Sequence, residues 1–542
     1  MSGARAQVRT TDLHVRVDPR AEWREVFVDA WRQLRDTFWD AGLGGVDWDG
    51  AFRSHAALLP RVGCRSELNE LVLRMAARLR VLHCFAHPPK PPTHLASRAV
   101  KGAAKPSKPN PPAFLGASLR ALNDQSGVEV LATYAGDPER PAQRSPLARP
   151  QHGARVAPGA RIVEANGVPC GTVAALAEAL LGQHGKQVRL RVFPPKPRAG
   201  GAAGGAAGVA AGVPSDAGGA SAGATALALP LALPSALPVA STVVSALSAS
   251  LGVPSMASSL CAAAGLSSSA PTTVSTASGG GGGGAGAGAG AEGGEGGGGH
   301  GRGALMDGRE VIVVPIDAAA SAELRYCAWL EAKRQAVEAL GRSQVGYVSL
   351  RAMDAEAYAR FAEQFYPVHR RPLLLMDVRH NRGGNIDCWV LERLLRKAWL
   401  FFQPRCGGGY WNMPYAFRGH LAVLVDQQTQ SNAEAFAEGF RRFGLGPVVG
   451  MRTWGGQIWM AHGQWLQDGG RLGIPEIGAY GAEGEWLIEG SGVEPDVRVD
   501  NPPHATFMGA DAQLETAVRI LLEKLEREPV EAPRPPPYPV RR

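Results

Sequence analysis

The sequence predicts a multidomain α/β protein, with a small helical domain first, a β-rich module second and an α/β core last. Three observations carry this. Residues 18–83 hold their apolar side chains at helical spacing, residues 113–192 hold short apolar runs punctuated by turn signals, and residues 310–451 alternate apolar runs with helical patterns as successive βαβ units do. At 542 residues the chain has room for two to four such domains.

The helical domain is expected over 15–90. Asp18-Pro19 reads as a helix cap followed by proline in the first turn, and Trp23, Phe27, Ala30, Trp31 and Leu34 recur at helical spacing. A second helix opens near Ser66 and carries Leu68, Leu71, Val72, Met75, Ala76 and Leu79. It leads to His83, and Pro88-Pro89 ends regular structure. His83 and His87 would share a face if the helix continued, but the glutamate of HExxH is missing and no third ligand suggests itself, so no metal site is expected. By itself, His83 is open to a structural or a catalytic reading.

The β-rich module spans 112–195. Phe114 to Leu119 opens it, Val128 to Ala132 follows, and the run PGARIVEANG (158–167) is a strand ending in an Asn-Gly turn. Val173 to Leu181 is a short helix and Val188 to Val192 a closing strand, with a polar insertion around Asp137 to Gly153. This order resembles a PDZ domain. The resemblance implies a groove that takes an extended peptide by strand addition.

Residues 199–306 differ in kind: between 201 and 300 only Asp216, Glu292 and Glu295 are charged, and glycine, alanine and serine dominate. The apolar run Thr225 to Leu251 is interrupted by Pro230, Pro234 and Pro238, which a membrane-spanning helix would not tolerate. A disordered low-complexity insertion is expected, and no membrane association.

The α/β core is expected over 307–525, with a proline-rich tail over 526–542. Strands are read at Glu310–Ile316, Gly346–Leu350, Pro372–Arg379, Leu421–Val425 and Pro447–Met451. Helices are read at Ala320–Leu340, Asp354–Phe365, after the loop His380–Asn385 to about Leu400, and at Ser431–Phe443. The continuously apolar strands imply a parallel sheet covered on both faces. Two turns at strand ends could carry chemistry. Ser431 sits at a helix N-cap, where a hydroxyl meets the positive end of the helix dipole and can serve as a cap or as a nucleophile. Gly383-Gly384 could cradle a phosphate, but the GxGxxG and GxxxxGK patterns are missing; the alternative is that its side-chain-free backbone faces a substrate oxygen.

The balance of 57 basic against 49 acidic residues leaves a charge of +8, but the basic side chains are interspersed with acids, so no nucleic-acid partner is expected. Seven cysteines, an odd number without a CxxC pair, argue for a reducing compartment. No secretory signal is read in the first residues, MSGARAQVRTTDL, which leave a transit peptide open; the expected location is cytoplasmic, with a plastid not excluded.

Four runs, DVRHNRGGN, TQSNAEAF, GMRTWGG and IEGSGVEPDV, occur in an order and spacing similar to the catalytic half of tricorn protease, a relative of the tail-specific, C-terminal processing serine proteases. The resemblance covers 10–195 and 307–525 and leaves out the insertion. The β-propellers that precede this half in the archaeal enzymes have no counterpart in these residues. The resemblance implies a crotonase/ClpP-like α/β core. It also implies a Ser431, His83 and Glu489 catalytic unit, oxyanion donors at Gly384 and Asn432, and peptide substrates met by Gly383 and by Phe402, an apolar residue where the family carries an acid. No cofactor is implied. Homo-oligomerisation is expected, since the catalytic halves of the family assemble.

The chemistry is that of acyl transfer: serine attacks, histidine moves the proton and a carboxylate orients the imidazole. Ser-Lys processing proteases carry a lysine about one strand past the serine, where Arg452 to Gly456 offers none. Two positions depart from the family. Leu82 stands where a serine assists the glutamate, and Asn432 stands where an aspartate follows the nucleophile. The competing reading is a catalytically weak or inactive protease-derived scaffold that binds peptides. Crotonase-type acyl-CoA chemistry would have no use for His83 and Glu489 beside a serine.

Overall fold

Helix α1 (Pro19–Thr37) begins where Asp18 accepts from the Arg20 amide, with Pro19 in the first turn, and it buries Val26, Phe27, Ala30 and Leu34. Helix α2 (Trp48–Ala56), capped by Asp47, was not legible as a separate element. Helix α3 (Arg65–Ala76) tightens into a 3-10 turn and stops at Arg80, whose φ of 56° is left-handed. The chain then leaves the helix before His83, and Phe85–His87 form strand β1, so His83 and His87 do not share a helix face. The computed structural model describes residues 17–90, 110–136, 144–195, 308–460, 463–531 and 533–540. The low-complexity insertion expected over 199–306 lies outside them.

Two compact units form, one of residues up to 116, 134–145 and 316 onward, the other of 117–133 and 146–315. In the second unit, β2 (Ala117–Ala121), β3 (Val128–Thr133), β4 (Arg161–Ala165), β5 (Val168–Pro169), helix α4 (Val173–Ala179) and β6 (Val188–Phe193) follow the expected order. The antiparallel sheet runs β2-β3-β4-β6-β7, with β5 on β4. Its last strand, β7 (Arg309–Val313), is a correction, because this segment was expected to open the α/β core. It pairs along β6, Val188 facing Val313 and Val192 facing Arg309. The reason lies in its pattern: Val311 and Val313 are buried while Glu310 is exposed, the alternation of a one-sided antiparallel strand rather than of a strand covered on both faces.

In the first unit the core sheet is wholly parallel, in the order β16-β13-β12-β9-β8. Helix α5 (Ala318–Leu340) leads to β8 (Val345–Ser349), helix α6 (Ala355–Val368) to β9 (Leu373–Asp377), and helix α7 (Asp387–Leu394) follows the glycine loop. α7 ends six residues before Leu400, the expected limit, because Trp399 and Leu400 are exposed and have no face to bury. A two-residue hairpin, β10 (Phe401–Phe402) and β11 (Tyr410–Trp411), precedes β12 (His420–Val425), helix α8 (Asn432–Arg442) and β13 (Val448–Gly450). Alternate strand residues serve the two faces. Leu374, Met376, Leu421, Val423 and Val425 pack with Phe361, Phe365, Val390, Phe436 and Phe440 of α6, α7 and α8. Leu373, Leu375, Ala422 and Leu424 pack on the other side with Tyr326 and Leu330 of α5 and with Leu514, Val518 and Leu521 of helix α9 (Ala512–Arg527).

Between β13 and β16 (Val497–Arg498) the chain makes an excursion that positions the site. Strands β14 (Gly463–Trp465) and β15 (Arg471–Gly473) form a hairpin, and β1 pairs with β15, Phe85 opposite Gly473. Leu466, Leu472 and Ile474 from this excursion sit in the same buried cluster as Phe27, Leu68 and Met75. Residues from the two ends of the chain thus share one core, and the loop carrying His83 is drawn over the end of the parallel sheet. No helix among the described residues is long and apolar enough to cross a membrane.

Candidate active site

Ser431 lies in the turn between β12 and α8, with φ 54° and ψ −122°. A non-glycine residue there carries strain on the order of 1–3 kcal/mol, which persists only when the surroundings over-determine it. Both sides of the residue are held: its amide donates to Glu434 Oε2 at 2.9 Å, and its carbonyl accepts from the Glu434 amide at 2.8 Å. The Gln457 amide, oriented so that both its atoms find partners, donates to the Ser431 carbonyl at 3.2 Å and accepts from the Trp459 indole at 3.0 Å. The resulting elbow aims the hydroxyl at His83, with 3.1 Å between Oγ and Nε2.

His83 is 6% exposed. Trp454 meets its ring edge-on at 5.3 Å and Phe85 at 6.3 Å. Burial lowers the imidazole pKa below the ordinary 6.5, and the nearby Glu489 partly opposes this. Near neutral pH the ring is therefore unprotonated and able to accept a proton.

Glu489 does not reach the second imidazole nitrogen, contrary to expectation. His83 Nδ1 is buried without a hydrogen-bond partner among the described residues. The carboxylate is instead held by main-chain amides, Gln457 at 2.6 Å and Ile458 at 2.9 Å on Oε2, with the Leu82 amide at 3.4 Å from Oε1. The physical reason is that Oε2 is taken up by the Gln457 and Ile458 amides, while Leu82 offers this network only its amide beside a 40% exposed apolar side chain.

The glycine loop backs onto the nucleophile. A Cβ on Gly383 would stand 2.7 Å from the Ser431 Cβ, and one on Gly384, at φ 149°, would collide with the Met353 carbonyl. The Gly383 amide is engaged with Asn381 Oδ1 at 2.9 Å, so its part is to leave room rather than to bind. Gly384 is bridged to Met353 through its neighbours, with the Met353 amide on the Gly383 carbonyl and the Asn385 amide on the Met353 carbonyl, which leaves its own N–H out of the ladder. Asn381, fully buried, ties this loop to the end of β8 through the Leu350 carbonyl and to the serine turn through the Gln430 amide. Asn432 opens α8, so its N–H stands at the positive end of the helix. Its side chain exchanges bonds with Asp387 at 2.6 and 3.0 Å, which joins the starts of α7 and α8. Phe402 lies on β10, stacked on Tyr410 at 4.9 Å and 39% exposed.

Sequence reasoning missed Glu434, Asn381 and Gln457. The first had a readable signal, the S-x-x-E spacing of a capping box at Ser431 and Glu434. Among the described residues no group of three or more histidine, cysteine, aspartate or glutamate side chains could hold a metal ion.

A strained serine elbow at a helix start, a buried imidazole on its hydroxyl and a glycine loop behind it form the arrangement that serine hydrolases use. The comparisons narrow it. The model of peptidase family S41 matches residues 344–499, that of the tricorn protease C1 domain residues 19–77 and that of the tricorn protease PDZ domain residues 114–199. Tricorn protease homolog 1 of Streptomyces coelicolor is 26% identical over 521 residues, 95% of this chain and 37% of the relative. Tricorn protease of Thermoplasma acidophilum is 30% identical over 216 residues, 39% of this chain and 20% of the relative. A crystal structure of the tricorn protease superposes with a TM-score of 0.66 at 18% identity, covering 96% of this chain and 38% of that one. The chain thus carries a peptidase family S41 domain beside tricorn protease C1 and PDZ domains, and over 95% of its length it is similar to a tricorn protease homolog. It spans about a third of the length of the first curated relatives it matches.

Proposed function

We propose that the chain cleaves peptides or unfolded protein segments through Ser431 and His83, with Glu489 behind the imidazole. Ser431 Oγ attacks the scissile carbonyl as His83 Nε2 takes its proton, and the same proton goes to the leaving amine. The oxyanion would be met by the amides of Gly384 and Asn432. Water then attacks the acyl-enzyme with His83 again as base. Serine, imidazole and main-chain amides supply nucleophile, base and electrophile between them.

The observation that carries this reading is the 3.1 Å approach of the His83 ring to the Ser431 hydroxyl. Glu489 acts here through its field on the imidazole rather than through a bond. We assign the apolar Phe402 to substrate binding and expect apolar residues at the cleaved bond. The all-parallel sheet with helices on both faces supports the crotonase/ClpP-like comparison. Six described cysteines, all free, fit a cytoplasmic location. A homo-oligomer is expected, and light scattering would reject it on finding a monomer with full activity.

The deciding experiment is labelling with a fluorophosphonate, native chain against Ser431→Ala. Labelling confined to the native chain supports the reading. His83 Nδ1, which has no hydrogen-bond partner among the described residues, favours a second one, a peptide-binding scaffold with a weakened protease site. It predicts peptide binding without labelling or hydrolysis.

A further inference from the structure

Glu434 is fully buried, and no cation partners it among the described residues. It accepts four hydrogen bonds. Oε2 takes the amides of Ser431 and Gly456, both at 2.9 Å, and Oε1 takes the Thr453 hydroxyl and the Gly455 amide, both at 2.6 Å. Capping α8 needs only the first of these bonds. The other three reach across to residues 453–456, a segment without regular structure that would otherwise have unpaired amides in the interior.

That segment and its neighbours border the base and the carboxylate. Trp454, between two of the tethered residues, stands edge-on to His83. Gln457 and Ile458, the next two amides along, hold Glu489. The Ser431 amide, at the other end of the network, sets the elbow that Gly383 packs against.

We propose that Glu434 is a positioning residue of the peptidase site, whose carboxylate fixes the Ser431 elbow, the Trp454 wall of His83 and the cradle of Glu489 as one body. The proposal rests on the peptidase reading. The carboxylate touches no reacting atom. It orients the nucleophile and the base relative to each other, and displacement of either by about 1 Å costs on the order of 10²-fold in turnover.

The test uses the full chain and three variants, Glu434→Gln, Glu434→Asp and Thr453→Val, with kcat and KM measured separately on a fluorogenic peptide, fluorophosphonate labelling rates and thermal melts. Glu434→Gln keeps the shape but turns an NH2 toward donors. Its kcat and labelling rate should fall about 10²-fold, with KM within about 3-fold. Glu434→Asp should recover part of the loss. Thr453→Val, which removes one donor, should fall in between and carries the test if Glu434→Gln does not fold. The acid limb of the surviving activity should move toward the ordinary imidazole value as the Trp454 wall loosens, a change that helix capping alone would not produce. Wild-type kcat with an unmoved acid limb, or a loss that only tracks the unfolded fraction, overturns the proposal. A wild-type chain that neither labels nor cleaves overturns the peptidase reading instead.

Discussion

The hydroxyl of Ser431 and Nε2 of His83 lie 3.1 Å apart although 348 positions separate them in the chain. His83→Ala and Ser431→Ala should each lower peptide hydrolysis by a factor on the order of 10³ or more, and the double variant should be no worse than the single ones, because the members of such a unit act together. Initial rates on one fluorogenic peptide decide it. Additive losses would separate the two residues.

Glu489→Gln should cost less than either, about 10-fold, because the carboxylate reaches the imidazole through space and keeps its amide partners as a carboxamide oxygen. Leu82→Ser is the sharper change. Restoring the hydroxyl that the family carries at this position should raise kcat and leave KM unchanged; a rise in KM alone would contradict this.

Activity should survive to lower pH than a solvent-exposed imidazole would allow. Burial depresses the His83 pKa in the folded chain, so the acid limb of kcat/KM should fall below 6.5. The sign for stability follows from the same shift. Below 6.5 the unfolded chain binds a proton that the folded chain refuses, so this group's contribution is intact above 6.5 and is lost as pH falls through the lowered folded value. An acid limb above 6.5 would refute it.

Gly383→Ala should abolish labelling of Ser431, since the added methyl meets the serine's own Cβ. Gly384→Ala should in addition lower the melting temperature, because its methyl meets the main chain at Met353, which cannot rotate away. Thermal melts alongside labelling separate the two effects.

Arg379→Met should cost roughly 3–5 kcal/mol in a urea titration, because it strips a buried cation from Asp377 and Asp511. Arg379 bonds them at 2.7 and 2.8 Å with its side chain 5% exposed, and Lys333 adds a 2.6 Å contact to Asp511. A cost below 1 kcal/mol would show that Lys333 alone holds the cluster.

The parallel core was legible because β8, β9, β12 and β13 are apolar over most of their length and alternate with helical patterns, whereas β16, only Val497–Arg498, carries too little pattern to be read. Ser431 and His83 were legible as residue types in a familiar order. Glu489 was legible as a residue but its partners were not, because it is held by the amides of Gln457 and Ile458, and every residue except proline has an amide. Glu434 was hidden by its own ordinariness: the third residue of a helix after a serine is often glutamate, and only the fold brings Thr453, Gly455 and Gly456 to it. Strand β7 was misassigned because its partner β6 lies more than a hundred positions upstream, and pairing across such a gap leaves no local mark beyond the alternation of Val311 and Val313.

The pairing of β1 with β15 bears on the order in which the site assembles during synthesis. His83 leaves the ribosome early, Ser431 hundreds of residues later, and the hairpin that fastens β1 later still. Until that hairpin closes, the serine has no base and the histidine no serine. On the peptidase reading, a nascent or partly folded chain therefore holds its nucleophile and its base apart, and the site assembles only as the fold is completed.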